Sequence, residues 1–389
     1  MITKISGGKV ITDRKIESKD VYIEDGKIIA VTSENMAFDN EINAKGNYVS
    51  AGFIDIHTHG AIDCDFLDND EESYIKIAKA HAEHGAGTIL PTITSAGKEE
   101  TINCLKVFEK IKNVSHDGAN MPGLHLEGPY FSPLQAGAQD PNIIRNFDKA
   151  EYTEFLNVTD SIMRWTGAPE LEGSEEFAKT LSSKGILPCI GHSDADGDCA
   201  KEAFKNGFTH ATHLYSSMSI VHRKNAFRYT GIVETAYLID DMTVEIIADG
   251  VHLPADLLRL VYKIKGPDKV CLITDSMRGA GMPEGTESML GGKKDGLRVI
   301  IEDGVAKLPD RTSFAGSVAF CDRLVRNMVN MADVPLEDAI YMITQTPAKV
   351  VGLENKGSIN TGMDADIIIF DKDINILKNI IGGRVVFSN

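Results

Sequence analysis

The chain has 389 residues, of which 42% are hydrophobic and 25% are charged, and its formal net charge is −17. This composition is typical of a globular protein and excludes a disordered or fibrous one. The acidic balance leaves no basic face for a phosphate backbone, which argues against nucleic-acid binding as the main function. Any anionic substrate must therefore be captured by a local cluster of cations.

The cysteines and the termini bear on the cellular compartment. Six cysteines are scattered without C-x-x-C spacing, which argues against a zinc finger or a disulfide framework. The amino terminus has no apolar core of signal-peptide length, and no stretch approaches the roughly 20 apolar residues that span a bilayer. We therefore expect a cytoplasmic protein with small buried thiols and no membrane partner.

Both ends of the chain are rich in short strand-like runs. The segment Val21–Val31 consists of two such runs around Asp25-Gly26, which predicts a hairpin. Near the carboxyl terminus, ADIIIFDKD and GGRVVF are further strand-like runs separated by turn residues. Since chain termini often lie close together, the two ends could combine in one small β domain.

The middle of the chain alternates between strands and helices. Short apolar runs such as GFIDIH, GTILPTIT and VCLITD are separated by longer helix-like stretches, which are Glu71–His84, Lys98–Lys112, Gly173–Lys184 and Pro254–Ile264. Such alternation predicts a parallel sheet with crossover helices. About eight units over roughly 300 residues favour a (β/α)8 TIM barrel. The alternative is a doubly wound open sheet, but no G-x-G-x-x-G follows an early strand.

Most of these apolar runs end in a residue that can bind a metal ion. The candidates are His57, His59, Glu127, His192, His213 and Asp275. The carboxyl ends of barrel strands converge on one face, and residues two apart on a strand point the same way, so His57 and His59 can reach one ion. Four imidazoles and two carboxylates suit zinc, iron or another divalent transition metal, and they suffice for two ions.

The other histidines of the barrel segment are expected to have structural or solvent roles. His81 and His84 fall in a helix-like stretch before a strand entrance, which predicts the opposite face of the barrel. His116 lies in a polar loop, His125 lies two residues before Glu127, and His210 lies three residues before His213. A single histidine of this kind is more often hydrogen-bonded than bound to metal.

The motifs carry a resemblance to a known family. GFIDIHTHG, GLHLEGPYFSPLQAGAQDP, GHSDA, THLYSSMS, ADGVHLP, ITDSM, FAGS and ADIIIFD together make the chain resemble the N-acetylglucosamine-6-phosphate deacetylases of the amidohydrolase superfamily. GLHLEGPYFS followed by GAQDP is quite specific, whereas the H-x-H pair belongs to the whole superfamily. The resemblance spans nearly the entire chain. It implies a (β/α)8 barrel over residues 51–356 and a small β-sandwich domain formed by residues 1–50 and 357–389.

The resemblance also implies an activity, a metal site and an assembly. The expected reaction is hydrolysis of N-acetyl-D-glucosamine 6-phosphate to D-glucosamine 6-phosphate and acetate. Glu127, His192 and His213 would bind metal and Asp275 would be the catalytic acid/base. Some family members lack the first histidine pair and use one ion, but this chain keeps His57 and His59, so a two-metal site bridged by Glu127 is expected. Zinc is the expected ion, with Fe2+ or another transition metal as alternatives, and a homodimer is the expected assembly.

Sugar and phosphate contacts carry over from the family as well. They fall on Ala138, Gln139, Ser216, Ser217, His252 and the Phe314–Gly316 turn, which includes Ala315. This chain has Ser216-Ser217 where many members have Asn-Ala, and VHRKNAFRYTG where many have His-Arg-Glu-Pro-Gly. The phosphate-binding cation is therefore one of Arg223, Lys224 and Arg228. Arg278 is another positive group near the expected barrel mouth.

Three other functions compete with this interpretation. An N-acetylgalactosamine-6-phosphate deacetylase would act on a substrate that differs at one sugar hydroxyl. A deacylase or cyclic amidase for amino-acid derivatives is a more distant alternative. A barrel that has lost its chemistry would lack metal ligands, and here none is missing, which disfavours the non-enzymatic alternative.

Overall fold

The two termini fold together into β-sheets beside a barrel. The computed structural model describes residues 1–293 and 296–389. A four-stranded sheet contains Lys27–Thr32, Asp20–Glu24, Thr3–Ser6 and Asn40–Asn43. A six-stranded sheet contains Arg384–Ser388, Ile376–Ile381, Ile367–Phe370, Tyr48–Ala51, Lys9–Thr12 and Lys15–Glu17. Ile367 lies opposite Ala51 in an antiparallel pair, so the small β-sandwich built from both ends is confirmed.

The hairpin predicted around Asp25-Gly26 is present. Its strands pair antiparallel from Asp20–Thr32 to Glu24–Lys27. Asp25 and Gly26 have φ values of 47° and 75°, a backbone that Asp tolerates and Gly adopts freely. The local turn chemistry therefore sufficed to predict this part of the sandwich.

Eight parallel strands form the barrel. They are β1 (Phe53–Thr58), β2 (Ala86–Ile93), β3 (Leu124–Glu127), β4 (Ile162–Gly167), β5 (Leu187–Ile190), β6 (His210–Ala211), β7 (Thr243–Ile247) and β8 (Val270–Ile273). Each pairs with the next in chain order from β1 to β8. The Asp275 backbone N–H donates to the His57 carbonyl oxygen over 2.9 Å, and this bond joins the segment after β8 to β1. The (β/α)8 barrel is confirmed.

The helices lie around the strands. They are α1 (Glu71–Glu83), α2 (Lys98–Ile111), α3 (Lys149–Val158), α4 (Ser174–Ser183), α5 (Gly197–Lys205), α6 (Ile232–Leu238), α7 (Ala255–Lys265), α8 (Cys321–Asn330), α9 (Leu336–Ile343) and α10 (Gln345–Val350). The four helices predicted from the sequence agree with α1, α2, α4 and α7 to within one residue at each end. At the start of α1, the Asp70 carboxylate accepts from the Ser73 N–H, an ordinary N-cap. None of the described helices has the length and apolar character needed to cross a bilayer.

A second small sheet follows β8 and was not predicted. Its antiparallel strands are Glu287–Leu290, Leu297–Glu302, Val305–Lys307 and Phe314–Ser317. The segment Phe314–Gly316 is therefore a strand and not the expected turn. Phe314 pairs with Lys307 and Ser317 with Val305, so the pairing that makes this segment a strand arises from residues several positions earlier in the chain. The Ser317 N–H also donates to the Asp275 carbonyl oxygen over 2.8 Å, which attaches this sheet to the barrel mouth.

Candidate active site

Three side chains from β1 and the end of β8 converge in a first triad, which we define as His57, His59 and Asp275. The Nε2 atoms of the two histidines lie 3.2 Å apart. Asp275 Oδ1 lies 3.3 Å from His57 Nε2 and 3.1 Å from His59 Nε2. The strand period of two places both imidazoles on the same face of β1, as the sequence predicted.

A second triad, Glu127, His192 and His213, lies directly beside the first. Glu127 Oε1 is 3.3 Å from His192 Nε2 and 3.0 Å from His213 Nε2, and these two nitrogens are 3.2 Å apart. Glu127 also approaches the first triad, with Oε1 3.5 Å from His57 Nε2 and Oε2 3.5 Å from His59 Nε2. The Glu127 carboxylate therefore belongs to the second triad and also contacts both histidines of the first.

These distances fit ligands that share a metal ion. Two nitrogen ligands at about 2.0–2.1 Å from a tetrahedral zinc ion are about 3.3 Å apart. The contacts within both triads run from 3.0 to 3.3 Å. The donor set is also appropriate, because imidazole and carboxylate suit zinc and other divalent transition metals. The residues present therefore fit one ion in each triad, with Glu127 able to bridge them.

Three of these residues have unusual backbone conformations. His192, His213 and Asp275 have φ values of 48°, 29° and 47°. Positive φ is uncommon for residues other than glycine and is concentrated at functional sites, where the surrounding structure holds it in place. The strand ends thus bend sharply at the point where each side chain enters the cluster.

The charges of the cluster favour a bound cation. Burial alone would raise the pKa of Glu127, but the charge of His57 and hydrogen bonds from His192 and His213 hold that pKa well below its usual value. Burial likewise opposes ionisation of Asp275, yet His57 and His59 lower its pKa. For His59, burial lowers the pKa, but the Asp275 hydrogen bond and the charge of Glu127 raise it to about 9. Both carboxylates are ionised and attract positive charge.

A cavity of about 300 Å3 opens over both triads. Its wall includes seven residues that the family resemblance assigned to the substrate, which are Ala138, Gln139, Ser216, Ser217, His252, Phe314 and Gly316. Gln139 Nε2 donates to Glu127 Oε2 over 3.2 Å, and Thr94 Oγ1 donates to Gln139 Oε1 over 2.9 Å. His252 Nδ1 lies 2.8 Å from Asp249 Oδ2, and the His252 ring packs against Phe314 with centroids 5.0 Å apart.

Four residues of the expected substrate site lie outside this wall. Ala315 is fully buried and packs against Met277, because alternate residues of a strand face opposite ways. Arg223, Lys224 and Arg228 lie on an exposed two-stranded hairpin, His222–Lys224 with Phe227–Tyr229. Within the described part of the chain, none of the three forms an ion pair with a carboxylate.

Arg278 is not available for a substrate anion. Its side chain is 1% exposed. Nη1 and Nη2 both donate to the Asp68 carboxylate, and Nη2 also donates to the Gly291 carbonyl oxygen. This arginine instead joins the segment after β1 to the small sheet after β8. Among the described residues, the cavity wall therefore contains no lysine or arginine.

The prediction for His81 was wrong about its position. Its Nε2 lies 3.1 Å from Thr58 Oγ1 and 3.3 Å from Ser276 Oγ, at the carboxyl ends of β1 and β8. Side chains of an α-helix tilt toward the amino terminus of the helix, and this tilt brings the His81 ring back toward the cluster. His84 lies farther out, where it stacks on Phe320 and pairs with Asp322.

His125 and His210 lie behind the triads. His125 is fully buried, packs edge-on against His57 at 4.6 Å and contacts the hydroxyl groups of Thr92 and Thr166. Burial holds the pKa of His125 well below its usual value, so this ring is neutral. His210 Nδ1 lies 2.7 Å from Thr243 Oγ1. Neither ring belongs to a triad, in agreement with the interpretation from the sequence.

Sequence reasoning missed two charged residues below the cluster. Arg164 on β4 and Glu245 on β7 are both fully buried and form an ion pair, with Nη1 2.6 Å from Oε2. Each is a charged residue within an apolar strand, IMRWTG and TVEII. Charged residues are almost never fully buried unless paired, so this pattern was the available indication.

Comparisons with known proteins agree with the geometry. The model of the amidohydrolase family matches residues 48–386. An N-acetylglucosamine-6-phosphate deacetylase from Lysinibacillus sphaericus is 32% identical over 371 residues, which cover 95% of this chain and 93% of that protein. An N-acetylgalactosamine-6-phosphate deacetylase from Escherichia coli O157:H7 is 29% identical over 373 residues, 95% of either chain.

A solved structure is similar over the whole chain. It is an aspartate-to-alanine mutant of the N-acetyl-D-glucosamine-6-phosphate deacetylase from Mycobacterium smegmatis, in complex with N-acetyl-D-glucosamine 6-phosphate. It shares 26% sequence identity with a TM-score of 0.90 and covers 100% of this chain and 99% of that one. The similarity therefore extends to the sandwich as well as the barrel.

Proposed function

The chain belongs to the amidohydrolase family, and on that premise we propose that it hydrolyses N-acetyl-D-glucosamine 6-phosphate to D-glucosamine 6-phosphate and acetate. The observation that carries this proposal is the pair of triads joined by Glu127 at the floor of the cavity. An acetamide is stable at neutral pH, so its hydrolysis needs a strong nucleophile and a polarised carbonyl. A divalent ion held by the two triads would supply both, because it acts as a Lewis acid and lowers the pKa of bound water towards about 7.

Asp275 is the proposed acid/base. It faces the cavity, and its Oδ1 contacts both histidines of the first triad, which leaves the rest of the carboxylate close to the substrate. Because its pKa is lowered, it is ionised and can take the proton of the attacking water. It then returns that proton to the nitrogen of the departing amine as the C–N bond breaks.

Other residues of the cavity wall would position the sugar. His252 is held by Asp249, so its Nε2 is free to point at a substrate group. Gln139 is fixed by Thr94 and reaches Glu127, which would place its amide beside the acetyl group. Ser216 and Ser217 offer further hydroxyl groups in the wall. Such convergent polar groups in a concave site fix the orientation of a small ligand.

The hairpin cations are the proposed phosphate site. Arg223, Lys224 and Arg228 carry no carboxylate partner in the described chain, although the protein is strongly acidic. The hairpin begins five residues after Ser217, which lines the cavity. Arginine–phosphate pairs are charge-assisted and often bidentate, so they are stronger than neutral hydrogen bonds.

The identity of the ion and the assembly are further parts of the proposal. We expect zinc, with Fe2+ or another transition metal as alternatives, and one or two ions per chain. Elemental analysis of protein purified without chelator measures both. We also expect a homodimer in the cytoplasm, with the sandwich of residues 1–50 and 357–389 as a unit distinct from the barrel of residues 51–356. Light scattering after size-exclusion chromatography gives the mass of the assembly.

One assay tests the activity. Acetate release is measured on N-acetyl-D-glucosamine with and without the 6-phosphate, and on N-acetyl-D-galactosamine with and without it. We expect the highest kcat/KM for N-acetyl-D-glucosamine 6-phosphate. Equal efficiency on the unphosphorylated sugar would contradict the phosphate requirement. The galacto compound is the second candidate substrate because a relative of that activity covers 95% of this chain.

A further inference from the structure

A fully buried ion pair lies directly below the first triad. Arg164 Nη1 is 2.6 Å from Glu245 Oε2 and Arg164 Nη2 is 3.1 Å from Glu245 Oε1. Both side chains have no exposed surface. Desolvation of two charges is costly, and a buried ion pair is weak evidence for a gain in stability. The ion pair also contacts the side chain and backbone around His57, which indicates a role besides stability.

Glu245 also binds the ring of His57. Its Oε1 lies 2.8 Å from His57 Nδ1. Both oxygens of Glu245 accept from the Arg164 guanidinium, so this residue is present as the carboxylate of an ion pair. An ionised carboxylate only accepts hydrogen bonds, so His57 Nδ1 carries the proton. In the metal-bound protein the His57 ring would be neutral, and its Nε2 lone pair would face His59 and Asp275, as a metal ligand requires.

The backbone around His57 is held by the same pair. Arg164 Nη1 donates to the carbonyl oxygen of Ile56, the residue before His57. The His213 backbone N–H approaches Glu245 Oε1 at 3.3 Å. The ion pair therefore connects β1 to β4, β7 and the segment after β6 at the level of the triads. Both the ring and the strand position of His57 depend on it.

No other candidate ligand has a comparable partner in the described chain. The Nδ1 atoms of His59 and His213 are buried without a hydrogen-bond partner. His192 Nδ1 lies 3.0 Å from the carbonyl oxygen of Gln135, a neutral acceptor. Among the four candidate ligand histidines of the described chain, only His57 has a carboxylate behind its ring. The first triad therefore contains a histidine whose Nδ1 is held by a carboxylate, and the second triad does not.

We propose that Glu245 is a positioning residue that makes the first triad a tight metal site, with Arg164 as its buried counter-ion. Without an acceptor at Nδ1, the His57 proton can move to Nε2 and block the lone pair that faces the ion. The second triad contacts Glu245 only through the His213 backbone N–H, over the longer distance of 3.3 Å. This inference rests on the proposed metal-dependent function, but its test measures metal retention and not acetate release.

The test is zinc retention in protein loaded with Zn2+ and then exposed to a colorimetric chelator. The main variant combines Arg164→Met with Glu245→Leu, which removes the acceptor without leaving an unpaired buried charge. We expect one ion per chain to dissociate about 10–100-fold more readily than in the wild type, while the other is weakened much less. Circular dichroism and a thermal melt show whether the variant is folded.

A second variant separates positioning from packing. Arg164→Met with Glu245→Gln keeps an amide oxygen that can accept from His57, so we expect partial recovery of the weakened ion. It also provides a folded comparison if the leucine variant does not fold. The matched control is Thr243→Val, which removes the hydroxyl partner of His210 on the same strand and should leave both ions unchanged.

Two outcomes would overturn the assignment of Glu245. One is retention of both ions at wild-type levels in folded variants. The other is equal weakening of both ions, because Glu245 would then support the whole cluster and not His57. A wild-type protein that binds no zinc would instead contradict the proposed metal-dependent function, so the two failures are distinguishable.

Discussion

The two ends of the barrel use buried charges in opposite ways. At the carboxyl end, four imidazoles and two carboxylates converge with their ligand atoms facing one another. At the amino end, the Asp366 carboxylate is surrounded by hydrogen-bond donors. Asp366 accepts from Lys356 Nζ at 2.5 Å, from Asn120 Nδ2 at 3.2 Å and from the Gly382 N–H at 2.8 Å.

A functional cluster differs from a structural one in how its polar groups are satisfied. Where every donor has an acceptor, the group holds two parts of the fold together, here the sandwich and the barrel. Where nitrogen and oxygen atoms with unshared lone pairs face one another, a bound cation satisfies them. Substitutions at the carboxyl end should therefore change activity, and substitutions at the amino end should change stability.

The largest expected effect is the removal of metal. Dialysis against a strong chelator should abolish acetate release, and added Zn2+ should restore it. The melting temperature should also fall, because an ion that binds only the folded state stabilises it. Acetate release and thermal melts before and after chelation test this expectation. Full activity in protein shown to be metal-free by elemental analysis would contradict the assignment of both triads.

Asp275→Asn should cause the next largest effect. General acid–base catalysis contributes about 100- to 10,000-fold, so kcat should fall by roughly that factor. Although Asp275 belongs to the first triad, metal content should stay near that of the wild type, because His57, His59 and Glu127 remain available to that ion. Near-normal turnover with normal metal would remove Asp275 from the mechanism, whereas loss of metal together with activity would make it a ligand.

At the amino end, Lys356→Met should act on stability alone. The free energy of unfolding should fall by about 1–3 kcal/mol, because Asp366 loses its cation while partly buried. The kcat/KM should remain that of the wild type. Urea denaturation measures the change, with Lys372→Met as control because the Lys372 side chain is 85% exposed. A large loss of activity without loss of stability would break the contrast between the two ends.

The smallest expected effect concerns the hairpin. Arg223→Ala, Lys224→Ala and Arg228→Ala, made singly, should raise KM for the phosphorylated sugar by about two- to tenfold in at least one case. The kcat should change little, because the hairpin is outside the cavity wall. Lys205→Ala, another exposed cation, is the control. Unchanged KM in all three variants would limit the functional surface to the cavity itself.

Local patterns were enough to predict much of the barrel. The helix-like stretches predicted the bounds of α1, α2, α4 and α7, because spacing of apolar residues and caps are local properties. The small sheet between Glu287 and Ser317 was missed, because its strands are short and pair only after the chain has turned back on itself. Phe314 was expected in a turn for the same reason.

The sequence was enough to pick out the six residues that converge, although their division into two triads came from the structure. His57 and His59 are two residues apart on β1, and the others stand at the ends of later strands, so the barrel topology alone brings them to one face. The residues that support these side chains, and those that line the cavity over them, depend on the tertiary structure. The bond from Glu245 to His57 joins residues 188 positions apart. Packing also decides whether a cationic side chain faces the cavity or pairs with a buried carboxylate. Arg278 pairs with Asp68 and is therefore a structural residue, not part of the substrate site.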